Sequence, residues 1–148
     1  MKNLSLLALG LSLIAPNAMV FADHHEGEHE ETPLQEEMSS MNKAWKSIRR
    51  AAKDPAEFAH AAEMVGTMIE HAKNSIDMDP ILLAEQEGEE AKEKFMHGYQ
   101  EGMQETVVLL EELKAAFEVA DQAAVVATMD KINDARKKGH RSYKPKDD

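Results

Sequence analysis

Residues 32–48 read TPLQEEMSSMNKAWKSI, and this stretch decides the fold. Thr32 can cap a helix, Pro33 suits a first helical position whose N–H would have no partner anyway, and Gln35 completes a capping box. Behind that start, Leu34, Met38, Met41, Trp45, Ile48 and Ala52 recur at steps of about four and three. Such steps line one face of an α-helix, whereas a strand would alternate.

The same chemistry repeats outward from this helix. Asp54-Pro55-Ala56-Glu57 is a second start, so helix one ends there and helix two begins immediately, with Phe58, Ala62, Val65, Ile69, Ala72 and Ile76 along one side. Asp77-Met78-Asp79-Pro80 ends helix two, and residues 77–88 read as a connection containing a short helical piece. A third helix from about Glu89 to Glu118 turns Phe95, Tyr99, Met103, Leu110, Leu113 and Phe117 inward. Asp121 caps a fourth, with Val125, Met129, Ile132, Arg136, His140 and Tyr143 on one face. The expected fold is all-α, an antiparallel up-down-up-down four-helix bundle over residues 33–148, the simplest way to bury four such stripes.

Ahead of the bundle, Lys2, the apolar run Leu4 to Ile14 and a small residue at Ala22 read as a secretory signal peptide over residues 1–22. The run is too short to span a membrane, which takes roughly 20 apolar residues. The mature chain is therefore expected to be soluble and periplasmic, beginning near Asp23 with an acidic, histidine-bearing extension over residues 23–32. Losing residues 1–22 removes one lysine, leaving 28 acidic against 16 basic side chains. That balance disfavours a nucleic-acid partner. With no cysteine, disulfides, covalent c-type haem, iron–sulfur clusters and thiolate zinc sites are excluded.

In the expected topology the start of helix one and the end of helix four share one end. Met38 lies five residues beyond Pro33, about 7 to 8 Å along the axis, and His140 four residues before Lys144, about 6 Å along it. A thioether and a neutral imidazole in one layer make a soft pair suited to the two faces of a haem iron. The residues alone leave two readings open. Met38 is also an ordinary core methionine in a chain with ten, and His140 could reach solvent through the bundle end. Met41, one turn along the stripe, would replace Met38 if helix one were shifted. Gly98 and Gly102, one turn apart, would allow close approach of a helix or flat ring, or sit at the surface.

Leu34-Gln35-Glu36-Glu37-Met38 with Asn42 and Ile48, Phe95-Met96-His97-Gly98-Tyr99, and Asn133 through Arg136 and His140 to Tyr143 resemble the soluble cytochrome b562 family. The resemblance runs from Leu34 to Lys144. It implies a haem b at one end of an antiparallel four-helix bundle, bound without covalent attachment, with Met38 and His140 as axial ligands and Phe95 and Arg136 beside it. Tyr99 completes the expected pocket. This chain departs from the family in a few extra residues before Phe95, about one extra turn between His97 and His140, and the N-terminal extension. A whole-turn insertion keeps the helix face.

Three functions follow as expectations. The first is a non-enzymatic periplasmic electron carrier serving redox partner proteins. The second is a periplasmic metal-binding protein. Cleavage after Ala22 would give Asp23, His24 and His25 a free amine, two amides and a third-position imidazole for Cu(II). The third is a haem-free helical adaptor. His60, His71 and His97 read as exposed, and Glu36-Glu37, Glu89-Glu90 and Glu111-Glu112 as solvated helix faces. The core stripes lack the inward glutamates of a di-iron bundle, and no hydrolytic Ser/His/Asp set is present.

Overall fold

In the computed structural model, residues 31–146 are described, and among them the chain is all-helical with four α-helices and no strand. The helices are α1 (Pro33–Ala51), α2 (Phe58–Ser75), α3 (Glu89–Glu118) and α4 (Gln122–Tyr143). The signal-peptide reading, the Asp23-His24-His25 motif and all but the end of the 23–32 extension lie outside the described residues.

Each expected cap forms. The Thr32 hydroxyl accepts from the Gln35 amide at 3.3 Å, and the Gln35 side chain accepts from the Thr32 amide at 2.8 Å. The Asp121 carboxylate accepts from the Ala124 amide at 2.9 Å. Asp54 differs in detail, because its carboxylate accepts from Ala56, two residues on, at 3.0 Å. That shorter loop winds Pro55–Glu57 into a 3-10 turn before α2 begins. The connection after α2 holds the anticipated helical piece, a 3-10 segment over Ile81–Glu85.

The stripes close on one core. Trp45, Ile48, Val65, Leu110, Leu113, Phe117 and Val125 are almost wholly buried. At one end the Phe58 and Phe117 rings meet edge to face, 5.1 Å between centroids, joining the first turn of α2 to the last turn of α3. At the other, the Tyr99 phenol donates to the Ser75 carbonyl at 2.8 Å, joining the start of α3 to the end of α2. Tyr143, at the end of α4, packs against Phe95 and Tyr99 of α3.

α2 packs closely on α1 and α3, and α3 on α4, but α1 and α4 make no comparably close backbone approach. The consequence shows along α4. Val125, Thr128 and Ile132 are buried, and no residue of α4 after Ile132 is. Arg136 and His140, expected on the inward stripe, are exposed, because the side of α4 turned away from α3 has no helix closely packed on it.

Candidate functional site

The end of the molecule where α2 finishes and α3 begins brings together two of the expected site residues, Phe95 and Tyr99, with Tyr143. Phe95 is half-buried and Tyr99 buried. Their rings stand edge-on to Tyr143, at 5.1 Å and 77° for Phe95 and at 5.5 Å and 74° for Tyr99. Edge-to-face geometry sets the positive rim of one ring against the negative face of the next. Burial pushes the Tyr99 phenol far above its usual pKa, so it stays protonated and donates to Ser75. Burial also raises Tyr143, with the Glu101 carboxylate adding to it.

Gly98 lies under Tyr143. A Cβ at residue 98 would stand 2.7 Å from the Tyr143 hydroxyl, so of the two readings left open for this glycine, close approach applies. A Cβ at Gly102 would meet nothing within 4 Å.

Met38, in the second turn of α1, is half-buried against the core, ahead of the first buried residue of that helix, Met41. His140 is exposed overall and lines a shallow cleft of about 330 Å³ with Arg141, Lys144, Pro145 and Lys146. Enough protein crowds its ring that partial desolvation lowers the imidazole pKa, and the charges of Arg136 and Lys144 lower it further. A histidine held this way is neutral at pH 7 and offers a lone pair. The larger cavity, about 490 Å³, lies at the far end around Phe58 and Phe117, away from these residues.

Two residues read as solvated take part in a contact between helices. His71 and Glu37 are half-buried, and the His71 Nδ1 lies 2.5 Å from a Glu37 carboxylate oxygen. α2 is covered by α1 on one side and α3 on the other, so its buried arc is wider than a single stripe and takes in His71. Glu37 flanks the Leu34–Met38–Met41 seam of α1. Ser75, fully buried, was also not legible as a core residue, since only its hydrogen bond to the His71 carbonyl at 2.8 Å makes burial affordable.

A Cytochrome b562 family model matches residues 33–144, most of the chain. The chain belongs to the cytochrome b562 family. Comparisons with curated proteins and with solved structures give no match. Members of the family are haem-binding electron-transfer cytochromes rather than typical enzymes, and membership implies a b-type haem. The residues present fit that group. Met38 of α1 offers a half-buried thioether, His140 of α4 an imidazole whose pKa is lowered, α1 and α4 make no close backbone approach, and aromatic rings of α3 pack against Tyr143 at the end of α4. Among the described residues no three His, Asp or Glu side chains converge as a metal cluster. No described helix is long and apolar enough to cross a membrane.

Proposed function

We propose that this cytochrome is an exported, periplasmic electron carrier. It binds one non-covalent haem b in the α1–α4 seam of an antiparallel up-down-up-down bundle, with Met38 and His140 as axial ligands. The observation that carries this reading is the seam itself. Of the neighbouring helix pairs, the one expected to flank a haem is the one without close backbone packing. The contacts at the two ends, Phe58 with Phe117 and Tyr99 with Ser75, support the antiparallel order.

The haem supplies the one-electron couple. The chain's residues supply its surroundings. A thioether is neutral at every pH and the His140 ring is neutral at pH 7, so neither must lose a proton to act as a ligand. Two protein ligands would leave no vacant position on the metal, which suits electron transfer rather than oxygen chemistry, and methionine raises the potential. Phe95 and Tyr99 present apolar ring surface that keeps water out, and Arg136 places a fixed positive charge one turn before His140. Titration of the apoprotein with haemin tests the reading. The Soret change should saturate at one haem per chain and weaken for Met38→Ala and for His140→Ala. Absence of saturable binding would overturn it.

Asp23, His24 and His25 support a separate Cu(II) site if cleavage follows Ala22. Calorimetry with Cu(II) on the mature chain, with and without residues 23–30, should show one site that disappears with the segment. Equal heats from both chains would exclude it.

A further inference from the structure

Two side chains of α2, His71 and Asn74, hold both oxygens of the Glu37 carboxylate. A carboxylate can only accept, so the His71 Nδ1–H donates to one oxygen at 2.5 Å, while the Asn74 amide donates to the other at 3.3 Å. Side-chain exposure is 19% for Glu37 and 30% for His71, too little for an ordinary solvated ion pair. The anchor is itself tied down. The His71 carbonyl accepts from the Ser75 hydroxyl, and the Ser75 carbonyl accepts from Tyr99, so the last turn of α2 is fixed to α3.

The piece of α1 held this way is the one that needs holding. Leu34 and Met38 are only half-buried, the first buried residue of α1 is Met41, and α4 does not close on this helix. Helix ends with little buried apolar surface open locally at low cost. Methionine adds its own freedom, with three rotatable bonds beyond the backbone. Two donors on one carboxylate fix both the distance of this turn from α2 and its rotation about the helix axis.

We infer that Glu37, His71 and Asn74 form a latch that positions Met38, presenting its thioether to the α1–α4 seam before any cofactor arrives. Glu37, His71 and Asn74 are positioning residues. The inference rests on Met38 being a haem ligand, and it assigns to the latch the order of the ligand-bearing turn.

A double-mutant cycle between His71 and Met38 tests it in the haem-loaded protein. His71→Ala should speed haem dissociation about tenfold, the effect usual for removing a group that orients a metal ligand. It should also shift part of the low-spin spectrum to high spin and lower the reduction potential. In a Met38→Ala background, His71→Ala should add nothing to the dissociation rate. Replacement of Lys73, which pairs with Glu111 on the α3 side of α2, should leave rate and spectrum unchanged. Additive effects of His71→Ala and Met38→Ala would overturn the latch. If His71→Ala does not fold, Asn74→Ala removes the weaker arm and should give the same changes at smaller size, while unchanged rates and spectra overturn it. Amide exchange in the apoprotein separates this inference from the haem reading. If the wild-type chain binds no haemin, that reading fails, yet amides of residues 36–41 should still exchange faster in His71→Ala than in wild type. Equal exchange overturns the latch as well.

Discussion

The Tyr143 ring over Gly98 sets the tolerances at the residue scale. Gly98→Ala places a methyl 2.7 Å from the Tyr143 hydroxyl but 4.0 Å from the ring carbon that bears it. Overpacking costs about 1 to 3 kcal/mol, and alanine regains about 1 kcal/mol of helix propensity over glycine, so the net destabilisation should be about 0 to 2 kcal/mol. Tyr143→Phe removes the offending oxygen and should restore most of the loss in the double variant, as denaturant unfolding would show. Tyr99→Phe deletes one hydrogen bond, and the Ser75 carbonyl keeps a bond from the Met78 amide. Its cost should stay near 1 kcal/mol. His140 gives a pH dependence with a defined sign. Its folded pKa lies below the ordinary imidazole value of about 6.5, so on acidification the unfolded chain takes a proton that the folded chain resists. The contribution of His140 to apoprotein stability, and its availability to haem, are therefore full at neutral pH and above. Affinity should fall only as the pH drops through the lowered value, and Arg136→Ala should move that fall to higher pH. Phe95 and Tyr99 were legible in the sequence because helical spacing places them on the inner side of α3. Glu37 and His71 were not, because their burial depends on how two helices meet and not on either stripe.

At the scale of the elements, the helix starts were legible and the exact turns less so. Thr32, Asp54 and Asp121 announce α1, the 3-10 turn before α2, and α4, because a side-chain oxygen two or three residues ahead of a free amide is a local matter. The tight loop at Asp54 and the end of α3 depend on finer backbone choices. α3 ends with Ala120 in the left-handed region at φ 54°, and the Asp121 amide bonds back to the Ala116 carbonyl at 2.9 Å. This is a Schellman-type stop in which alanine stands where glycine is favoured. Ala120→Gly should stabilise the protein by about 0.5 to 1 kcal/mol, the relief of left-handed strain less the added freedom of the unfolded chain. Thr32→Ala should cost about 1 kcal/mol, read as a lower thermal midpoint.

At the scale of the whole molecule, four stripes announced four helices, but the sequence could not show that α1 and α4 would stand apart. A stripe records that a face is apolar and not which partner covers it. The exposure of Arg136 and His140 follows from that gap, and so does the expectation that a ligand in the seam supplies missing contacts. Haem bound to the native state alone should therefore stabilise it by about 2.7 kcal/mol at a hundredfold excess over Kd. For a domain of this size the thermal midpoint should rise on the order of 10 °C. The visible spectrum of the purified protein, beside those of Met38→Ala and His140→Ala, tests the central claim most directly. The account predicts a red protein with one low-spin haem per chain that turns high-spin in each variant. A colourless protein, or a haem spectrum indifferent to both substitutions, would contradict it.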